Sequence, residues 1–227
     1  MIGWNGHRSG LVYDFTSQSP LVRSYVTMFE QLCVSTAGDA HPLLVVTGPG
    51  RGEGRTSVAI NLGLCGTRLG GRKTLLVDAD IELAGLSKTL GKSGKPGLSD
   101  VLSGELQWRD CVAVHGQDER LHVLPSGTSA TVVPAACPTE RLSGLVAEWR
   151  SEFDWIVVDT PPVLCSATAA VLGKHGSGAV LVLRSGRTRT EVLCQAAGRL
   201  KENEIRTLGV VLNRRRFSIP RYAYLRL

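Results

Sequence analysis

The stretch that decides the fold is Leu43–Gly63, with the sequence LLVVTGPGRGEGRTSVAINLG. It starts with a short apolar run, Leu43–Val46, which predicts one buried β-strand. A loop with a glycine at every second position from 48 to 54 follows, and then Thr56, Ser57 and an apolar pattern of helical spacing. Glycines let backbone N–H groups approach an anion closely, and a helix N-terminus adds its positive dipole end. The order of strand, loop and helix therefore predicts a phosphate-binding loop.

The loop departs from the P-loop pattern G-x-x-x-x-G-K-[ST] at two positions. With the second glycine at Gly54, Pro49 stands at the first glycine and Arg55 stands at the lysine. Arginine keeps the positive charge, but its planar guanidinium is wider than the compact ammonium of lysine. The next hydroxyl, Thr56, is the residue type that binds Mg²⁺ in such loops. The pattern favours nucleotide binding more strongly than catalysis, and a glycine-rich turn without a ligand is the alternative.

Size and composition indicate one large α/β domain or two small ones. The chain has 227 residues, of which 43% are hydrophobic and 26 are glycine, so it can bury a substantial core. Its six cysteines are scattered without a C-x-x-C pair, and we expect them to be small core residues in a reducing compartment. No stretch resembles a signal peptide, and no apolar run approaches the roughly 20 residues of a membrane span. We therefore expect a cytoplasmic protein.

The net charge of +6 is uneven along the chain. Five arginines crowd the last fourteen residues: Arg214, Arg215, Arg216, Arg221 and Arg226. A tail of this kind suits contact with anionic lipid, nucleic acid or an acidic partner, and a solvated charge run is the alternative.

The N-terminal part is predicted to be a loose arm over residues 1–18, followed by a helix. Ser19 is the expected N-cap and Pro20 the expected first helical residue. The apolar stripe of this helix is predicted to comprise Leu21, Tyr25, Met28 and Leu32. Near the other end of the chain, Thr188 and Glu191 are predicted to form a capping box that opens a helix.

Strands alternate with helices over the rest of the chain, which predicts a doubly wound, mostly parallel sheet with helices on both faces. Further strands are expected at residues 73–80, 121–124, 156–158, 179–183 and 208–212. We divide the chain into three parts. These are an N-terminal arm and helix (1–38), a nucleotide-binding domain (39–213) and a basic tail with two tyrosines (214–227).

Three acidic residues stand at the ends of two predicted strands. Asp78 and Asp80 end the run KTLLVDAD, and Asp159 follows the apolar run at 156–158. Ligand sites of open parallel sheets lie at the carboxyl ends of the strands. Two acids there can hold Mg²⁺ through water or accept a proton from a hydroxyl, and P-loop proteins place an acid like Asp159 to orient Mg²⁺. Together with Thr56, these acids predict a nucleotide–Mg²⁺ site.

Several motifs resemble the cytoplasmic domain of the bacterial tyrosine kinases of capsule and exopolysaccharide synthesis, a branch of the P-loop ATPases of MinD/ParA type. The resemblance runs from about Pro20 to Arg214 and rests on PGRGEGRTSVAINL, LLVDADI, GLSDVLSGE, LHVLPSG, FDWIVVDTPPVL and LGVVLNR. The related partition and septum-site ATPases usually carry an extra lysine early in the loop. Gly50 occupies that position here, which favours the kinase branch.

The resemblance implies ATP and Mg²⁺ as cofactors and assigns roles to individual residues. The residues expected to bind the nucleotide are Gly50, Arg51, Gly52, Glu53, Gly54, Arg55, Thr56, Ser57 and, at the adenine ring, Asn213. The expected metal ligands are Thr56, Asp78 and Asp159, and the expected catalytic residues are Asp78, Asp80 and Arg55. Tyr222 and Tyr224 lie where relatives carry tyrosines that are phosphorylated in trans.

This sequence departs from the family pattern at further positions. Glu82 replaces an arginine and Thr168 replaces an acid, while a glutamate and two arginines that promote ring assembly are replaced by Arg23, Val26 and Phe29. Three functions therefore remain open: a kinase that phosphorylates its own tail and regulates polysaccharide export, a catalytically weak nucleotide-sensing pseudokinase, and a MinD/ParA-type ATPase.

The resemblance also implies partners and a location. A membrane polysaccharide co-polymerase, which regulates chain length, would be the activator, and copies of the chain would form a homo-oligomer. The protein would be cytoplasmic and peripheral to the inner face of the cell membrane, with its basic tail touching anionic lipid. Nucleic acid is not expected as a partner.

Overall fold

The computed structural model describes residues 10–116, 118–129 and 134–214. Over these ranges the chain forms seven β-strands, eight α-helices and one 3₁₀ turn at Pro134–Ala136. The strands are β1 (Leu43–Thr47), β2 (Thr74–Asp78), β3 (Ala113–His115), β4 (Asp118–Leu124), β5 (Trp155–Asp159), β6 (Gly178–Arg184) and β7 (Thr207–Asn213). The helices are α1 (Pro20–Ser35), α2 (Arg55–Arg68), α3 (Gly85–Thr89), α4 (Leu98–Ser103), α5 (Trp108–Cys111), α6 (Thr139–Glu152), α7 (Thr168–Gly173) and α8 (Thr190–Glu202).

The seven strands form one sheet in the order β3-β4-β2-β5-β1-β6-β7. Within the described chain, neighbouring strands run parallel except for β3 and β4, which are antiparallel. This confirms the predicted doubly wound, mostly parallel sheet. Because β2 and β5 pair in register, Asp78 lies directly opposite Asp159 at the carboxyl edge.

Helices cover both faces of the sheet. Because successive strand residues point to opposite faces, alternate residues of one strand pack on different helices. On one face, Leu44, Val46 and Val157 pack with residues of α1 and α2. On the other face, Leu43, Val45 and Val158 pack with residues of α6, α7 and α8. The central strands β1, β2 and β5 are buried along their whole length, which explains their continuous apolar sequences.

Glycines of α2 face the sheet and let the helix pack closely against it. A Cβ atom added at Gly63 would be 2.6 Å from a methyl carbon of Leu76 on β2. A larger residue at this position would force either α2 or the buried Leu76 side chain to shift. The packing of Gly63 therefore helps to hold the phosphate loop over the carboxyl edge of the sheet.

Helix α1 begins where the sequence predicts, but its buried stripe differs from the prediction. The Ser19 side chain caps the helix by accepting a hydrogen bond from the backbone N–H of Val22. The buried residues are Val22, Tyr25, Phe29 and Leu32, whereas Leu21 is 46% exposed and Met28 is half-buried at the edge of the core. The stripe is rotated because Phe29 packs edge-to-face on Trp155 of β5, at 5.3 Å between ring centroids.

The residues just before α1 are attached to the core, which contradicts the predicted loose arm for this part of it. The backbone N–H of Val12 donates to Oδ1 of Asn61 on α2 at 2.8 Å. The Asn61 Nδ2 group donates in turn to the carbonyl of Gly10 at 2.9 Å. Both polar groups of a fully buried asparagine are thus used to hold an extended segment that has no apolar periodicity of its own.

None of the helices in the described ranges has the length and hydropathy that crossing a membrane requires.

Candidate functional site

The phosphate loop connects β1 to α2 and leaves the start of α2 open to an anion. Gly54 is the N-cap of α2 and has φ of +92°, a left-handed conformation that favours glycine. In the described part of the chain, no side chain caps this helix. Its first N–H groups and its positive dipole end are therefore available to a phosphate group.

Two carboxylates and a hydroxyl meet beside this loop. Thr56 Oγ1, on the first turn of α2, donates to Oδ2 of Asp159 at 2.7 Å. Asp159 ends β5, and Asp78 ends the neighbouring β2 at the same level of the sheet. The structure thus brings together Thr56, Asp78 and Asp159, the three residues that were predicted to bind the metal.

Each of these carboxylates has one buried oxygen without a hydrogen-bond partner among the described residues. These atoms are Oδ1 of Asp78 and Oδ1 of Asp159. A buried anionic oxygen without a partner is costly unless a cation or water satisfies it. Carboxylate and hydroxyl oxygens are also the ligands that Mg²⁺ prefers. The donor set therefore fits a divalent cation that is completed by water and nucleotide phosphate.

Burial perturbs both acids strongly. Desolvation, together with the charge of Asp78, raises the pKa of Asp159 to about 8, although the Thr56 hydrogen bond opposes the shift. Desolvation also raises the pKa of Asp78 to about 6, against the hydrogen bonds from Ser87 that lower it. Both shifts arise because two neighbouring carboxylates are buried beside each other, and a cation bound between them would lower both pKa values.

Arg55, in the position of the P-loop lysine, is folded against the protein. Its side chain is buried, and Nη2 lies 3.3 Å from Oδ2 of Asp80. Its Nη1 group donates to the carbonyl of Gly50 at 3.4 Å, a long hydrogen bond. The other carboxylate oxygen of Asp80 accepts from the N–H of Leu83 at 3.3 Å. Two of the predicted catalytic residues, Arg55 and Asp80, are therefore engaged with each other.

Glu82, the charge reversal relative to the family pattern, has a partner in the loop. Arg51 Nη2 lies 2.8 Å from Oε1 of Glu82, and both side chains are mostly exposed. An exposed ion pair of this kind contributes little to stability, because water and salt screen it. Its effect is mainly on charge, because it reduces the positive potential that Arg51 would present to a phosphate.

Glu53 is part of the predicted nucleotide-binding loop, but its side chain points into the protein. The side chain is buried, and Oε2 accepts from the backbone N–H of Gly50 at 3.1 Å. Its Oε1 accepts from the Thr188 hydroxyl at 3.0 Å, and its backbone carbonyl accepts from Asn213 Nδ2 at 2.9 Å. Glu53 therefore links the loop to the ends of β6 and β7.

The remaining predicted nucleotide-binding residues have simpler environments. Asn213 reaches the loop at the end of β7, and its Oδ1 accepts from the N–H of Arg214 at 2.8 Å. Ser57 is half-buried in the first turn of α2, and Gly52, with φ of +80°, is exposed at the tip of the loop. The predicted acceptors Tyr222 and Tyr224 lie outside the described residues.

The predicted capping box of Thr188 and Glu191 is wrong. Helix α8 begins at Thr190 with Arg189 as its N-cap, and no side chain in the described ranges caps it. The Thr188 hydroxyl instead accepts from the N–H of Arg184 at 3.0 Å and donates to Glu53. A tertiary hydrogen bond to a buried carboxylate has therefore replaced the predicted local one. The local pattern could not show this, because Glu53 is 135 positions away in the sequence.

Ser87 is a site residue that the sequence reasoning missed. On α3, its backbone N–H and its hydroxyl both donate to Oδ2 of Asp78, at 2.8 and 2.7 Å. The Ser87 hydroxyl also accepts from the N–H of Ser126, after β4, at 2.9 Å. Ser87 therefore orients Asp78 so that its second oxygen, Oδ1, is the one for which the described residues supply no partner. The sequence carries this serine nine positions after Asp78, six residues beyond the end of the LLVDADI motif.

Comparison with curated proteins finds tyrosine kinases of streptococci. The chain is 30% identical over 203 residues to the tyrosine-protein kinase CpsD of Streptococcus pneumoniae serotype 4, covering 86% of each chain. It is 28% identical over 190 residues to the tyrosine-protein kinase CpsD of Streptococcus agalactiae, covering 83% of this chain and 82% of that protein. No protein-family model matches the chain.

Solved structures share the fold. The kinase domain of the Escherichia coli tyrosine kinase ETK has a TM-score of 0.76 at 23% identity, covering 94% of this chain and 86% of that one, a likeness that shows the fold alone. The VpsO kinase domain has a TM-score of 0.67 at 29% identity, covering 86% of this chain and 99% of that one. The septum site-determining protein MinD of Pyrococcus horikoshii OT3, complexed with Mg-ADP, has a TM-score of 0.63 at 26% identity. The match covers 81% of this chain and 75% of that one.

Proposed function

Since this chain belongs to the bacterial tyrosine kinases, we propose that it transfers the γ-phosphoryl group of ATP to tyrosine side chains. The observation that carries the proposal is the meeting of Thr56, Asp78 and Asp159 beside a helix N-terminus. Among the described residues, no side chain caps this helix and two of the carboxylate oxygens have no partner. Phosphoryl transfer depends on positioning and on charge stabilisation, and little covalent help from the protein is required. A phosphate loop and a cation site at one edge of a sheet supply both.

Each site residue has a role in this proposal. The N–H groups of the loop and of α2 bind the phosphates, and Thr56, Asp78 and Asp159 hold Mg²⁺. When bound, the ion neutralises charge that develops on the phosphate oxygens. The nucleotide is proposed to lie on Gly50–Ser57, with its adenine near Asn213. The complex of the similar MinD protein with Mg-ADP supports the choice of ligand.

Arg55 and Asp80 are proposed to act together. The phosphates of ATP attract the Arg55 guanidinium away from Asp80, because a phosphate oxygen is a stronger partner than the long contact at 3.3 Å. The release of Arg55 frees Oδ2 of Asp80 to accept the proton of the tyrosine hydroxyl. One movement would then supply both the phosphate-binding cation and the base.

The biological setting follows from the family resemblance. We propose that residues 39–213 are the nucleotide-binding domain, that residues 1–38 pack on it, and that residues 214–227 are a basic tail. Tyr222 and Tyr224 of this tail are the proposed acceptors in another copy of the chain. A membrane polysaccharide chain-length regulator is the proposed activator. The protein would regulate polymerisation and export of capsule or exopolysaccharide from the cytoplasmic face of the membrane.

A second candidate function is favoured by the Arg55–Asp80 contact. If ATP does not separate this pair, the chain binds nucleotide and transfers phosphate only weakly, as a nucleotide-sensing partner of the membrane protein. This candidate predicts thermal stabilisation by Mg-ATP without phosphotyrosine.

The experiment that separates the two is incubation of the purified full chain with Mg-ATP, with and without the cytoplasmic segments of a cognate membrane regulator, followed by detection of phosphotyrosine. The kinase function predicts phosphotyrosine that is lost in Asp78→Asn. Thermal stabilisation by Mg-ATP with no phosphotyrosine under either condition would reject the kinase in favour of the sensor.

A further inference from the structure

An open cavity of about 390 Å³ lies between the phosphate loop and the turn from β6 to α8. One wall belongs to the loop and the other to the turn. The charged residues that line it are Arg51, Glu53, Arg184, Arg187 and Arg189. We call this cavity the arginine cleft.

The arginine cleft has a strong positive excess. Arg187 and Arg189 are exposed and Arg184 is half-buried, and over the described ranges none of their guanidinium groups forms an ion pair with a carboxylate. Of the other two charged lining residues, Arg51 is paired with Glu82, and the Glu53 carboxylate is buried and hydrogen-bonded to Gly50 and Thr188. Three neighbouring guanidinium groups that form no ion pair within the described part of the chain make a surface that attracts anions.

The exposed acid nearest in sequence to the cleft does not cancel this charge. Glu191 lies in the first turn of α8, two residues after Arg189, and it does not line the cavity. Even with Glu191 counted, the turn from Arg184 to Glu191 has three arginines and one acid.

The position of the cleft suggests what occupies it. Gly50 and Arg51 belong to the phosphate loop and also line the cavity, so a segment in the cleft lies next to the phosphates. An acceptor tyrosine has to approach the γ-phosphate while the nucleotide fills its own site. We propose that the arginine cleft binds the peptide that flanks the acceptor tyrosine and that it selects an acidic peptide. This inference rests on the proposed kinase function, whose acceptor class it names.

The tail of the chain itself fits this cleft poorly in charge. Residues 214–227 contain five arginines and no aspartate or glutamate. Arginine side chains brought next to the unpaired arginines of the cleft repel them, whereas glutamates would pair with them. An acidic segment of another protein is therefore expected to bind the cleft more tightly than the basic tail, which remains an acceptor of lower affinity.

A hydrogen-bonded path connects the cleft to the loop. Thr188 lies in the cleft and donates to the Glu53 carboxylate, which also accepts from the N–H of Gly50. A peptide that moves the turn from β6 to α8 would therefore also act on a backbone N–H group of the phosphate loop. Acceptor binding and nucleotide binding are expected to be coupled through Glu53.

Fluorescence anisotropy tests the proposal on the full chain with two labelled peptides. One has the sequence of residues 214–227, and the other has the same sequence with every arginine replaced by glutamate, so both keep the two tyrosines. The proposal predicts that the acidic peptide binds at least about tenfold more tightly at low salt, and that the difference shrinks as salt screens the charges. The double variant Arg187→Gln/Arg189→Gln should bind the acidic peptide about fivefold more weakly, since it removes two surface charge pairs.

The matched control is Arg199→Gln, an exposed arginine farther along α8 that does not line the cleft, which should leave the affinity unchanged. Equal affinity for the two peptides, or an unchanged affinity in the double variant, would overturn the proposal. So would loss of ATP affinity in the double variant together with displacement of the peptide by ATP, because the cleft would then belong to the nucleotide.

Binding does not require turnover, so the outcome is independent of the kinase function. If the acidic peptide binds selectively and neither peptide is phosphorylated by Mg-ATP, the cleft assignment stands and the kinase function fails. If both peptides bind and are phosphorylated equally well, the kinase function stands and the cleft assignment fails.

Discussion

Replacement of Asp159 by asparagine is predicted to stabilise the ligand-free protein while it destroys the cation site. The Asp159 side chain is buried, its Oδ1 has no partner in the described chain, and burial raises its pKa to about 8. In the unfolded chain the same carboxyl has its ordinary pKa of 3.8. The folded state therefore binds a proton that the unfolded state releases, and stability falls as the pH rises from about 4 to about 8.

The size of the effect follows from the pKa values. At pH 7 the pH lies about three units above the pKa of this carboxyl in the unfolded chain, and each unit corresponds to about 1.36 kcal/mol. The buried acid therefore costs on the order of 4 kcal/mol at pH 7, and roughly a third of that at pH 5. Asparagine is neutral at both pH values and removes this cost. For a domain of this size, Tm should rise by roughly 8–16 °C at pH 7.

Thermal unfolding of wild type and Asp159→Asn at pH 5 and pH 7 measures the effect, with and without Mg-ATP. We expect the Tm of the variant to exceed that of the wild type at pH 7, with a smaller gap at pH 5. Mg-ATP should raise the Tm of the wild type and leave that of the variant nearly unchanged, because a ligand stabilises only the state that binds it. A variant that is less stable than wild type at pH 7, or that keeps the full response to Mg-ATP, would refute the reasoning.

Three further predictions follow from particular contacts. Phe29→Ala should lower the free energy of unfolding in urea by roughly 3–5 kcal/mol, whereas Leu21→Ala should change it by less than about 0.5 kcal/mol. Equal effects would contradict the buried stripe that the structure assigns to α1. Thr188→Val should cost about 1–3 kcal/mol because Oε1 of the buried Glu53 carboxylate loses the Thr188 hydroxyl as its donor, while Oε2 keeps the Gly50 N–H. An unchanged urea midpoint would show that this hydrogen bond is unimportant. Arg55→Lys should raise the initial rate of phosphotyrosine formation roughly tenfold, since lysine lacks the fork that holds both Asp80 and the Gly50 carbonyl, and a lower rate would contradict this.

The central part of the sheet could be predicted because each of its strands is recognisable from a short stretch of sequence. β1, β2 and β5 are buried on both faces, so each appears in the sequence as a short continuous apolar run. Parallel strands bring their carboxyl ends to one edge, so the ends of two runs were enough to place Asp78 near Asp159. β3 was missed because Ala113–His115 is too short to show a period.

The errors occur where distant residues decide a local feature. The stripe of α1 depends on Trp155, which is more than 120 positions from Phe29. The Thr188 hydroxyl donates to Glu53 and therefore does not cap α8 as predicted. The Arg55–Asp80 contact likewise joins two residues whose separate roles were expected but whose pairing was not. Pattern reasoning finds the residues of a site, and tertiary contacts determine which of their groups remain free.

The measurement that tests the central claim most directly is the intact mass of the full chain before and after incubation with Mg-ATP, beside Asp78→Asn. The account predicts that the wild type gains the mass of one or more phosphoryl groups on tyrosine and that Asp78→Asn gains none. A wild-type mass that does not change, or an equal gain in Asp78→Asn, would contradict the claim that Asp78, Asp159 and Thr56 form a site for phosphoryl transfer.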